Sequence, residues 1–130
     1  MKLLLDTHIW LWGHLEPNRL KPAVAAALQD TANQLYLSPV SVWETLLLIS
    51  KGRINVSGDG ASWVRKVLTS GAVVQIPLSN EIVIAAQQLP LEHGDPADRW
   101  IAATAAAGGL TLVTADRKLI SAKVVDVLAN

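Results

Sequence analysis

Apolar positions along the chain fall into two patterns, short unbroken runs and longer stretches with helical spacing. Lys2-Leu3-Leu4-Leu5 is a run that stops at Asp6. A continuous run of this length is what a strand buried on both faces looks like, and such strands belong to parallel sheets. Residues 34–37, 72–76 and 110–114 predict three more strands, and residues 123–127 a last edge strand. Helical stretches lie between them. Residues 7–13 are apolar on most sides through Ile9, Trp10, Leu11 and Trp12, which predicts a buried helix. Residues 21–30 place Pro22 in the first turn ahead of an alanine-rich run. Ser38-Pro39 is a cap followed by a first-turn proline, opening a helix through Val40, Trp43, Leu47 and Ile49 to Lys51-Gly52. Further helices are expected over 61–70, from Ser79 or Asn80 to Gln88, from Asp95-Pro96 to Gly108-Gly109, and over 116–121. Residues 56–60 and 90–94 read as loops. Strand and helix alternate throughout, so the expected fold is α/β, with a central parallel sheet of four to five strands and helices on both faces.

With 130 residues, one domain spanning 1–130 is expected. The hydrophobic fraction of 51% against 17% charged residues excludes a disordered chain. There is no cysteine, which removes disulfides, thiolate metal sites and a thiol nucleophile. The apolar runs are too short to span a bilayer, and Asp6 breaks the resemblance of the first five residues to a signal peptide. A cytoplasmic location without membrane contact is therefore expected. The formal net charge is zero, so nucleic acid would have to be held by metal ions and a local patch, not by a basic excess.

Four acids occupy comparable places. Asp6 follows the first strand, Glu44 lies in the first two turns after the second, Asp98 in the first turn of the alanine-rich helix, and Asp116 after the fourth strand. In a parallel sheet every strand-to-helix turn opens on one edge, where ligands of open α/β sheets bind. Carboxylates gathered there repel one another until a cation neutralises them. Oxygen donors without cysteine or a histidine pair suit Mg²⁺ or Mn²⁺, and paired ions of this kind promote phosphodiester hydrolysis. Each acid also has a structural reading. Asp6, Asp95 and Asp116 are well placed as helix caps, and Ser41-Val42-Trp43-Glu44 has the spacing of a capping box. Two of these readings are redundant: Ser38 already starts the Glu44 helix, and Asp95 already caps the Asp98 helix. Asp95 itself reads as a cap. His8 is close to Asp6 in sequence, His14 and His93 fall in expected loops, and none forms an H-E-x-x-H pair. Neither of the common glycine-rich phosphate loops is present.

Four blocks carry a resemblance to a known family: Leu4-Leu5-Asp6-Thr7-His8; Ser38-Pro39-Val40-Ser41-Val42-Trp43-Glu44; His93-Gly94-Asp95-Pro96-Ala97-Asp98-Arg99-Trp100-Ile101-Ala102-Ala103-Thr104-Ala105; and Leu110-Thr111-Leu112-Val113-Thr114-Ala115-Asp116. In order and spacing they resemble the PIN-domain proteins of the VapC toxin class. The resemblance implies a three-layer α/β/α sandwich and an Mg²⁺- or Mn²⁺-dependent endoribonuclease. Asp6, Glu44, Asp98 and Asp116 would be its acidic residues, supported by Thr7, Thr114 and Asp95. Arg99 would be either a phosphate contact or an ion-pair partner. The resemblance also implies an RNA substrate, a cognate antitoxin laid along the active-site groove, and a homodimer. The apolar surface around Trp10–Trp12 and Trp43–Ile49 is a place for such a partner, or ordinary core. Two other classes stay open: a degenerate domain that binds RNA or protein without cleaving, and a haloacid-dehalogenase-like phosphatase. The latter wants a second aspartate where this chain has His8.

Overall fold

The structure, a computed structural model, describes residues 1–92 and 95–130. His93 and Gly94, in the expected loop at 90–94, lie outside the described residues. The chain forms β1 (Lys2–Leu5), α1 (Thr7–Leu15), a 3-10 turn (Pro17–Arg19), α2 (Pro22–Gln29), β2 (Gln34–Leu37), α3 (Pro39–Ser50) and α4 (Gly60–Ser70). It continues through β3 (Val73–Gln75), α5 (Asn80–Gln88), α6 (Pro96–Gly108), β4 (Thr111–Thr114), α7 (Arg117–Ala122) and β5 (Val127–Ala129). The five strands make one sheet in the order β3-β2-β1-β4-β5, and every pairing is parallel.

The alternation within β1 sorts the core into two layers. Leu3 and Leu5 point to the side of Ile9, Trp10 and Leu11 of α1, Val24 of α2 and Val64 of α4. Leu4 points to the opposite side, with Ala97, Ile101, Ala102 and Ala105 of α6 and Leu119 of α7. Neighbouring β4 repeats this, Leu112 joining the Leu4 side and Val113 the Leu3 side. Helices therefore cover both faces, and the fold is a three-layer α/β/α sandwich. Each fully buried leucine contributes roughly 1.5–3 kcal/mol, so β1, with three of them, is the strand on which both layers depend. Helix α5 packs outside α6 through Ile82, Ala86 and Ala103.

Local signals set the helix ends. Ser38 Oγ accepts from the Val40 N–H, Ser79 Oγ from Ile82, and Asp95 Oδ1 from Ala97, each satisfying a first-turn donor. Helix α6 stops at Gly109, whose φ of 61° places it in the left-handed cap conformation that glycine takes without strain. One element differs from expectation. The last strand is Val127–Ala129, not residues 123–127. Lys123 takes a left-handed conformation at the end of α7 (φ 55°), and Val124 and Val125 pack on the core in place of pairing. Among the described residues no helix is long and apolar enough to cross a membrane.

Candidate functional site

The sheet order puts the first strand in the middle. The chain winds from β1 outward through β2 to β3, then returns to place β4 on the other side of β1. The crevice between the carboxyl ends of β1 and β4 is thus the switch point at which α/β sheets bind ligands. Asp6 and Asp116 leave its two sides. Asp6, Glu44, Asp98 and Asp116 all line one depression there, together with Asp95, His8, Trp12, Arg19 and Ala115.

Asp6 is 8% exposed and fixed on both oxygens. Its Oδ1 accepts from the Thr7 N–H (2.8 Å) and its Oδ2 from the Thr114 hydroxyl (2.6 Å). The backbone places Thr114 there: Leu5 pairs with Val113, and the Asp6 N–H donates to the Val113 carbonyl at 2.9 Å. Thr114 Oγ1 also accepts from the Asp116 N–H (3.0 Å), which ties the turn after β4 to the turn after β1. Thr7 does the same for α3. Its Oγ1 lies 2.6 Å from Glu44 Oε1 and 3.0 Å from Ser41 Oγ. A hydroxyl has one proton. The short, charge-assisted contact to Glu44 takes it, leaving the Ser41 hydroxyl to donate to Thr7. Ser41 is fully buried and part of this chain of oxygens, a role the capping-box reading missed. The box itself is absent because Ser38 caps α3.

The cap readings and the site readings prove compatible. Asp6 and Asp116 are both N-caps, Asp116 Oδ1 accepting from Lys118 (2.8 Å) and Leu119 (3.4 Å), while both line the crevice. Asp95 caps α6 and lies at the rim; Asp98 is the third residue of the helix that Asp95 caps.

Electrostatics follow from this crowding. Burial, then the charges of Asp6, Asp95, Asp116 and Glu44, push the Asp98 carboxyl up to about 8. Burial also raises Asp6, against the lowering effect of its bonds from Thr114 and Thr7 and of His8. Glu44 is raised by burial and by Asp6 and Asp95, with the Thr7 bond opposing. Like charges gathered in a partly dry crevice favour protonation unless a cation joins them. The donors are carboxylate and hydroxyl oxygens, with His8 as the one imidazole among the described lining residues. Among the described residues no three His, Asp or Glu side chains close tightly enough to cage an ion. Mg²⁺ needs no such cage, since it keeps several waters and binds through one or two carboxylates. The set therefore fits Mg²⁺ or Mn²⁺.

Arg99 is placed differently from either expectation. Its guanidinium donates from Nη1 to the Ala86 (2.8 Å) and Leu89 (3.1 Å) carbonyls and from Nη2 to the Leu91 carbonyl (2.8 Å). It latches the end of α5 to α6, because a helix C-terminus leaves carbonyls without intrahelical donors. It does not line the crevice. The tryptophans divide as well. Trp10 is 2% exposed and belongs to the core, whereas Trp43 is 55% exposed. Trp12, read from the sequence as apolar helix surface, lines the crevice, and so does Arg19, which carried no sequence signal because the 3-10 turn that folds it back over α1 is a tertiary feature.

The sequence model of the PIN domain matches residues 3–125. The chain belongs to the PIN-domain family. Ribonuclease VapC22 of Mycobacterium tuberculosis (strain ATCC 25618 / H37Rv) is 37% identical to it over 120 residues, covering 92% of this chain and 90% of that protein. The fold is shared with VapBC2 from Rickettsia felis, solved bound to a DNA fragment from its promoter (TM-score 0.75, 18% identity, 100% and 99% coverage). It is also shared with a toxin-antitoxin complex from Klebsiella pneumoniae (TM-score 0.67, 20% identity, 98% and 96% coverage).

Proposed function

We propose that this PIN domain is a divalent-metal-dependent endoribonuclease that hydrolyses RNA phosphodiester bonds and acts as the toxin of a toxin–antitoxin pair. One observation carries the catalytic part: four carboxylates from four separate segments meet at the switch-point crevice, and their crowding raises Asp98 to about 8. Capping accounts for Asp6 and Asp116 but not for Glu44 and Asp98, and a cation would offset the repulsion of all four. Asp6, Glu44, Asp98 and Asp116 would hold Mg²⁺ or Mn²⁺. A divalent ion there supplies water activation and charge stabilisation at the attacking and leaving oxygens.

The chain's own groups do the positioning. Thr114 and the Thr7 N–H leave Asp6 no rotational freedom. Thr7, backed by Ser41, holds Glu44. Two helix starts, α1 and α7, point their N-termini at Asp6 and Asp116. Each of these two acids accepts from the first backbone N–H groups of the helix it opens, which fixes the carboxylate's position at the crevice.

The antitoxin and the RNA substrate come to this chain through its relatives, one a ribonuclease and the other a toxin-antitoxin complex. Exposed Trp43 on α3 and Val83 and Ile84 on α5 are apolar surface that an antitoxin or a second copy would cover. The deciding experiment is digestion of total RNA by the purified, partner-free chain. Cleavage is expected with Mg²⁺ or Mn²⁺, none with EDTA, and none by Asp6→Asn. Metal-independent cleavage, or full activity of Asp6→Asn, would overturn the reading.

A further inference from the structure

The acidic crevice continues beyond its carboxylates. It shares His8, Trp12 and Arg19 with a second depression that runs on towards Leu48, Arg53 and Asn55. Where the two meet, the Arg19 guanidinium sits over Trp12, its central carbon 4.2 Å from the ring centroid. His8 braces Trp12 with ring centroids 5.7 Å apart. The backbone beneath Arg19 is fixed as well. It closes the 3-10 turn, with the Leu20 N–H on the Pro17 carbonyl (3.1 Å), and its own carbonyl accepts from the Asn130 side chain at 3.2 Å. Glu16, outside the acidic cluster, touches only one edge of the guanidinium, at 3.5 Å.

A guanidinium beside four carboxylates would ordinarily pair with one of them. Here it is laid on an indole, and its side chain stays 51% exposed. Neither the core nor the acidic cluster requires that arrangement. It does present a flat cationic plane at the mouth of the crevice. Unstacked bases of single-stranded RNA stack on aromatic rings and on guanidinium planes, and arginine adds positive charge for the flanking phosphates. On a chain of zero net charge, such cations have to be local.

We propose that the Arg19–Trp12 stack is a platform for one base of a single-stranded RNA whose phosphodiester lies at the acidic cluster, with Arg53 farther along the groove facing backbone phosphate. Arg19 makes the contact and Trp12 positions it. The inference rests on the ribonuclease reading and names the residues that would seat one base of its substrate.

The test is equilibrium binding, in Mg²⁺ and on an Asp6→Asn background, of a labelled twelve-residue oligoadenylate and an abasic oligomer of equal charge. The parent is expected to prefer the oligoadenylate by about tenfold, the scale of one base stack. Arg19→Ala and Arg19→Lys should both bring that preference close to one while leaving the circular dichroism and melting temperature unchanged. Lysine keeps the charge and loses the plane, so full retention by Arg19→Lys would overturn the stack in favour of a simple phosphate contact. Unchanged preference in both variants would also overturn it and leave this face to a protein partner. If the chain cleaves total RNA yet shows no base preference, the platform alone falls. If it neither cleaves RNA nor binds either oligomer, the ribonuclease reading falls and takes the platform with it.

Discussion

Asp6 is held at both carboxylate oxygens, by one hydroxyl and one backbone N–H. Thr114→Val keeps the shape and removes the hydroxyl. It is expected to lower RNA cleavage by roughly 10- to 100-fold, the usual effect of losing a group that orients a metal ligand. Circular dichroism should stay native, and steady-state cleavage across a Mn²⁺ titration measures the loss. Asp98 gives a pH signature. Its folded-state value of about 8 lies above the ordinary 3.8, so the folded chain keeps a proton that the unfolded chain releases. Without metal, stability should therefore fall as pH rises from about 4 to about 8 and level off above. Asp98→Asn removes that loss. In EDTA the variant should melt a few degrees higher than the parent at pH 8, on a scale of roughly 4 °C per kcal/mol, and match it near pH 4. Identical melting curves at pH 8 would show that Asp98 is not raised.

At the scale of elements, Arg99 joins two helices through three carbonyls. Hydrogen bonds to charged groups contribute about 1.5–3 kcal/mol each, less when water can replace them. Arg99→Ala is expected to cost about 2–4 kcal/mol, read as a lower urea midpoint, with cleavage per folded molecule nearly unchanged. The opposite result, lost cleavage at full stability, would restore the phosphate-contact reading. The start of α3 is a second such joint. Ser38→Ala removes the acceptor for the Val40 N–H and should cost about 1 kcal/mol. Because α3 carries Glu44, that loosening should reach the crevice as a weaker response to Mn²⁺.

For the whole molecule, the sheet order decides where the charges go. With β1 between β2 and β4, the turns bearing Asp6, Asp116 and the α3 start become neighbours. Their repulsion is a cost of folding that a divalent ion would offset by binding the folded state. Mn²⁺ should raise the melting temperature at pH 7.5 and raise it far less at pH 5, where Asp98, raised to about 8, holds its proton more completely and competes with the ion. Asp6→Asn should blunt the shift. A melting temperature indifferent to Mn²⁺ at pH 7.5 would count against the metal site independently of any RNA assay.

Composition and local pattern alone determined the run of elements, the parallel sheet and the four acids, because strand burial and helix capping are decided within a few residues. Leu3-Leu4-Leu5-Asp6 shows both at once, a buried run ended by a charge. The tertiary structure decided what depends on distant partners. It shifted the last strand to Val127–Ala129, since Val124 and Val125 find the core first. It turned Arg99 into a latch, since the open carbonyls of α5 lie beside it only after α5 packs on α6. It drew Ser41 into the Thr7–Glu44 chain and laid Arg19 on Trp12. No spacing in the sequence encodes these contacts, because each depends on how an element packs after it has formed.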